Sequence, residues 1–152
     1  MYSVWLSAEE QRVWRSLLTM VSRLSAAMNR QLQRDCGLSL SDYDVLVALS
    51  ERGPLRMYQL ADRLAWEQSR LSHQLRRMRD RGLVVRHGSD DDRRGATVVL
   101  TEAGRTALEF AAPGHAELVR SLVFDGMSAT QLRTFGAVIE TVLGRLDQDA
   151  SR

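Results

Sequence analysis

The residues best equipped for chemistry lie between Glu67 and Arg81, where Ser69, His73, Arg76, Arg77 and Asp80 share one side of a helical wheel and Leu71, Leu75 and Met78 share the other. The apolar three recur at i, i+4 and i+7, which at about 100° per residue makes one helix face that docks on a core. The opposite face carries hydroxyl, imidazole and guanidinium groups, with Arg70 and Ser72 on its flanks. Ser and His donate or accept at base edges, and Arg offers a planar fork that fits guanine or phosphate, so this set suits the reading of a nucleic-acid groove. A solvated charged face is also the ordinary fate of an Arg-rich surface helix, and the neighbouring segments decide between the two.

Those neighbours follow a set order. Met57 to Leu64 reads as a helix of one to two turns with Leu60, Ala61 and Leu64 inward, and only a few residues around Ala65 and Trp66 separate it from the next. Two short helices joined by a tight turn form a helix-turn-helix. Gly82 ends the second helix as a capping glycine, with Arg79 and Arg81 in its last turn, where cations suit the helix dipole. The period then changes: Leu83-Val84-Val85-Arg86 and Ala96-Thr97-Val98-Val99-Leu100 are β-branched apolar runs that read as strands. The polar, glycine-flanked stretch from His87 to Gly95 joins them as the tip of a β-hairpin wing.

With this order on the page, the chain resembles the MarR family of winged helix-turn-helix transcription regulators over essentially its whole length. The resemblance rests on Arg81-Gly82-Leu83-Val84 after the recognition helix, Asp92-Arg93-Arg94 at the wing, Leu100-Thr101-Glu102-Ala103-Gly104 opening the next helix, and Gly37-Leu38-Ser39-Leu40 ahead of the second helix. It implies a wing Arg, here Arg94, that enters the minor groove while Asp92 steadies it, with Arg93 beside them. The physics agrees, because a narrow minor groove concentrates negative potential that an Arg can occupy without a unique base pattern. The three acids Asp90 to Asp92 weigh against a strong contact, and a solvated loop with self-neutralising charge is the alternative.

In the recognition helix, the N-terminal half is expected to reach deepest. Ser69, Ser72 and His73 are the base-edge candidates, Arg70 or Arg76 the guanine partner, and Arg77 a phosphate partner; Gln68 either caps the helix or touches a phosphate. Charge placement fits. From Arg56 to Arg94 stand ten arginines against six acids, a local +4 that leaves −2 for the remainder of a chain of net charge +2. Concentrated basic charge attracts phosphate. All 21 basic residues are Arg, a choice that GC-rich coding alone can produce.

At 152 residues and 44% hydrophobic, the chain is the size of one domain with one core. The expected class is mainly α with a small β-hairpin wing: a winged helix-turn-helix at 38–100 within a single domain of 1–152, flanked by helical regions at 5–34 and 101–147. Ser7-Ala8-Glu9-Glu10 has capping-box spacing, and Val13, Leu17, Met20, Val21, Leu24, Ala27, Met28 and Leu32 then keep a helical period. A second box, Ser128 to Gln131, precedes Leu132, Phe135, Ile139, Val142, Leu143 and Leu146. A further helix starts at Thr101, with Pro113 expected to kink or interrupt it. The terminal apolar stripes can pack on each other within one chain. The resemblance implies instead a homodimer in which they interlock between subunits, giving a pseudopalindromic site on double-stranded DNA with half-sites about one turn apart.

The resemblance also implies a small lipophilic or phenolic effector bound between the helical and winged regions, with Trp14, Met20, Tyr43 and Met57 as lining candidates. Met and aromatic side chains at helical spacing equally serve as plain core. Cys36 is the lone cysteine, which excludes an internal disulfide and fits a reducing cytoplasm. Arg34 is expected to lower its pKa, yet its position matches the family's thiol sensors poorly. His73, His87 and His115 lack metal-ligand spacing, and no cofactor is expected. No apolar run reaches the roughly 18 residues of a membrane span, and Met1 to Leu6 lacks the features of a signal peptide. No phosphate-cradling glycine loop or nucleophile elbow appears, so the chain reads as a non-enzyme. The rival readings are a winged-helix protein-interaction module and a non-specific architectural DNA binder; an interaction module would carry apolar anchors where positions 69, 73 and 76 hold Ser, His and Arg.

Overall fold

The computed structural model describes residues 5–88 and 96–152, so the wing tip, with Asp92, Arg93 and Arg94, lies outside the described residues. The chain divides into two compact units, Met1–His115 and Ala116–Arg152.

The first unit opens with α1 (Ala8–Cys36), started by the capping box of Ser7 and Glu10 and ended by Gly37 at φ +66°. The amide of Leu38 then donates back to the Leu32 carbonyl at 3.3 Å, closing the helix end. Helix α2 (Leu40–Arg52) starts from a second box, Ser39 with Asp42. Asn29 of α1 accepts the Leu40 amide at 2.9 Å, which sets where α2 leaves α1. Next come strand β1 (Leu55–Arg56), α3 (Met57–Leu64) and α4 (Gln68–Asp80). The tight turn between α3 and α4 places Ala65 at φ +54°, a region L residues enter at a cost of roughly 1–2 kcal/mol.

Gly82, at φ +75°, turns the chain out of α4, and the Leu83 amide donates to the Met78 carbonyl at 3.0 Å. Strands β2 (Val84–His87) and β3 (Thr97–Leu100) pair antiparallel, with Val84 opposite Leu100 and His87 opposite Thr97. Strand β1 adds to the other edge of β3, for the order β1-β3-β2. The hairpin is as expected; β1 is not. Two residues are too few to show a period of two, and only pairing with β3 defines them.

Helix α5 (Glu102–Val119) begins at Thr101, whose hydroxyl accepts the Gly104 amide at 2.9 Å and donates to the Gly82 carbonyl at 2.6 Å. The core joins Leu32 of α1, Val45, Leu46 and Leu49 of α2, Leu60 of α3, Leu71, Leu75 and Met78 of α4, Val84 and Val98 of the sheet, and Ala111 of α5. Of the two outcomes expected at Pro113, a kink or an interruption, the interruption does not occur: the proline lies inside α5. Proline removes one amide bond and crowds the carbonyl four residues back, here that of Glu109, an exposed residue. The break comes later, where Arg120–Phe124 form a π-helical turn.

In the second unit, α6 (Ala129–Ala150) starts at the capping box of Ser128 and Gln131. Among the described residues, no helix is long and apolar enough to cross a membrane.

Candidate nucleic-acid interface

Helix α4 carries the site, and its two faces separate as the periodicity requires. Leu71, Leu75 and Met78 are buried in the core, whereas Gln68, Ser69, Arg70, Ser72, His73, Arg76 and Arg77 are all exposed. Left-handed residues, Ala65 before the helix and Gly82 after it, turn the chain at its two ends. Exposed guanidinium and hydroxyl groups on a rigid helix can contact phosphates and base edges alike.

The surroundings of the individual arginines differ. Arg70 lies with its guanidinium 4.1 Å from the centre of the Trp66 ring, a cation–π contact that holds it at the turn. Arg76 lines a pocket of about 230 Å³ between α4 and the sheet, together with Ser72, Arg79 and Arg86 over an apolar base of Leu75, Val84 and Val98. Arg77 donates to the side-chain oxygen of Gln74 at 2.7 Å. Arg81, at the end of α4, donates to Asp42 at 3.1 Å and to the Gly37 carbonyl at 3.0 Å.

Beneath this face lies a polar group that the sequence reading passed over. Asp42 and Gln74 are buried, at 6% and 3% exposure, and the Gln74 amide nitrogen donates to Asp42. The second Asp42 oxygen accepts the Ser39 amide at 2.9 Å as well as Arg81. A buried carboxylate with three donors is compensated, whereas an unpaired one would be costly. The signal in the sequence was Gln74 itself, a polar residue three positions after Leu71 and four before Met78 and therefore on the buried stripe. Nothing in the sequence linked it to Asp42, because that contact spans thirty-two residues.

The four residues expected to line an effector site are dispersed. Tyr43 borders a depression of about 430 Å³ with Asp44, Val47, Arg63, Leu64 and His115. Met57 borders the pocket beside Arg76. Trp14 lies in a groove of about 550 Å³ on α1 with Leu6, Val13 and Leu17, and Met20 is exposed farther along that helix. None of these three depressions holds two of the four.

Beside Tyr43, the His115 ring sits 4.4 Å away, and burial pushes its imidazole pKa down. Burial also raises the Asp44 carboxyl, against the opposing pull of Arg70. Cys36 departs from expectation. Burial pushes its thiol up, and the neighbouring Asp35 carboxylate pushes the same way. Arg34, expected to activate the thiol, is engaged with Asp35 at 2.8 Å. A raised pKa leaves little thiolate and hence little reactivity.

Comparison with known proteins is consistent with this architecture. A sequence model of the MarR family matches residues 37–95. The structure of Sco3205, a MarR family transcriptional regulator from Streptomyces coelicolor solved in complex with DNA, is 40% identical, with a TM-score of 0.85 over 93% of this chain and 90% of that one. AbsC, a MarR family regulator from the same organism, is 34% identical, with a TM-score of 0.86 over 96% of this chain and 99% of that one. CouR from Rhodococcus jostii RHA1, solved with bound p-coumaroyl-CoA, is 25% identical, with a TM-score of 0.70 over 83% of this chain and 88% of that one. An HTH-type transcriptional regulator of Bacillus cereus is 31% identical over 101 residues, and the match spans 66% of this chain and 66% of that protein's length. A core that presents a polar, arginine-bearing helix beside a three-stranded wing, and relatives that align along nearly all of it, lead to one conclusion: the chain belongs to the MarR family of transcriptional regulators.

Proposed function

We propose that this regulator acts as a homodimeric repressor on a pseudopalindromic operator and is released by a small lipophilic or phenolic ligand. The observation that carries the DNA reading is the exposed face of α4, where Ser69, Ser72, His73, Arg76 and Arg77 stand over a fully packed apolar stripe. In this reading residues 38–100 bind DNA: Ser69, Ser72 and His73 meet base edges, Arg70 or Arg76 takes guanine, and Arg77 and Gln68 meet phosphates. Asp92, Arg93 and Arg94 form the minor-groove contact of the wing.

Residues 5–34 and 101–147 join the two copies. Support comes from the apolar side chains that each unit leaves open: Val13, Trp14, Leu17 and Val21 on α1, and Ile139, Val142, Leu143 and Leu146 on α6, are 42–58% exposed. Large contiguous apolar surface of this kind marks an interaction site. The effector reading draws on CouR, and a ligand releases DNA only if it prefers the DNA-incompetent state.

The test is binding to duplex from around the protein's own gene, in competition with random duplex and across a salt series. Specific binding that weakens steeply with salt supports the regulator and supplies an assay for ligands. Binding without sequence preference assigns an architectural role, and no binding at low salt moves the function to a protein partner.

A further inference from the structure

We infer that Asp42 and Gln74 position Arg77 as a pre-set phosphate clamp, an inference that rests on reading α4 as the DNA-contacting helix. The argument turns on the two ends of one amide. Gln74 is buried, with its nitrogen donating to Asp42 and its oxygen accepting Arg77. A carboxylate only accepts, so the Gln74 nitrogen must face Asp42 and the oxygen must face Arg77. The reverse orientation sets acceptor against acceptor at one end and donor against donor at the other. Asp42 thereby fixes the polarity of the relay.

Asp42 is itself fixed. It accepts the Ser39 amide at 2.9 Å and Arg81 at 3.1 Å, and Arg81 also reaches the Gly37 carbonyl at 3.0 Å, so the relay is anchored at the junction of α1 and α2. The use of an amide at the outer end has an electrostatic consequence. A carboxylate paired with Arg77 would neutralise it, whereas the neutral Gln74 oxygen holds the guanidinium and leaves its charge for phosphate. Arg carries five donors in a rigid fork, and the relay engages one nitrogen of an otherwise exposed side chain. Restricting a long side chain before binding removes part of the ordering cost of the contact.

The experiment is a double-mutant cycle between Gln74→Met, which keeps volume and burial, and Arg77→Ala, read as affinity for operator and for random duplex. Gln74→Met is expected to weaken both by about 3–10-fold in the wild-type background, the worth of one hydrogen bond, and by less than about 2-fold once Arg77 is absent. Equal losses in both backgrounds overturn the relay, because a general loosening of α4 does not depend on Arg77. Nitrogen-15 spectra of the Arg77 guanidinium give a DNA-independent readout. Restricted rotation in the wild type that is released in Gln74→Met supports the relay, and identical signals in both overturn it. A wild type that binds no duplex overturns the DNA reading of α4, while the Arg77 signals still decide the relay.

Discussion

Arg76 and Arg77 are adjacent on α4, yet their settings ask different things of them. Arg76 borders the pocket beside Ser72 and Arg86, whereas Arg77 is tied to Gln74. Arg76→Ala is expected to reduce discrimination between operator and random duplex by about 1–3 kcal/mol, while Arg94→Ala weakens both evenly; competition titrations separate the two, and equal losses for both variants would refute the distinction. His115 supplies a pH prediction. Its ordinary pKa of 6.5 is lowered by burial in the folded protein. The unfolded chain therefore binds more protons below that value, so stability is full above pH 6.5 and falls as the solution is acidified from there toward the lowered folded pKa. His115→Phe keeps a ring against Tyr43 and removes the titration. Thermal midpoints measured from pH 7.5 downward should fall less for this variant than for the wild type, and parallel curves would exclude His115 as the source.

The elements meet where small residues and buried stripes allow it. A side chain at Gly104 would place its Cβ 2.1 Å from the Leu83 carbonyl oxygen and 2.8 Å from the Leu100 side chain. The start of α5 therefore approaches the strand entry only because position 104 has no side chain, which gives a physical reason for the glycine after Leu100-Thr101-Glu102-Ala103. Gly104→Ala should destabilise by about 1–3 kcal/mol through overpacking, seen as a lower denaturant midpoint. Leu71 is fully buried in the first turn of α4. Leu71→Ala should cost about 2–5 kcal/mol by the lost transfer energy and the cavity left behind, and an unchanged denaturation midpoint would contradict its place in the core. The α4 stripe was legible because it repeats over several turns, as were the capping boxes at Ser7 and Ser128. Strand β1 was not, since it depends on what lies across from it.

At the scale of the molecule, the unfinished surfaces are the apolar stripes of α1 and α6. Ile139 and Val142 are 42% and 46% exposed. Each 100 Å² of apolar surface kept from water is worth roughly 2.5 kcal/mol, and the proposed dimer would draw on that gain. Replacing both with Glu should shift the protein from dimer to monomer in sedimentation at micromolar concentration. Operator binding should fall with it, because a two-fold site needs two recognition helices. A wild type that sediments as a monomer would count against the homodimer.

The sequence by itself determined the elements whose information is local and periodic: the long capped helices, the helix-turn-helix, the hairpin and the polar face of α4. Periodicity and capping act within a few residues, and a chain of this kind states them openly. Only the tertiary structure decided which polar groups meet. It joined Asp42 to Gln74 and Arg81, set Trp66 under Arg70, placed Trp14, Tyr43 and Met57 in different depressions, and pushed the Cys36 thiol pKa up through burial and the neighbouring Asp35 carboxylate. Hydrogen bonds, stacking and desolvation depend on distances between segments far apart in the chain, and those distances are set by how the core closes.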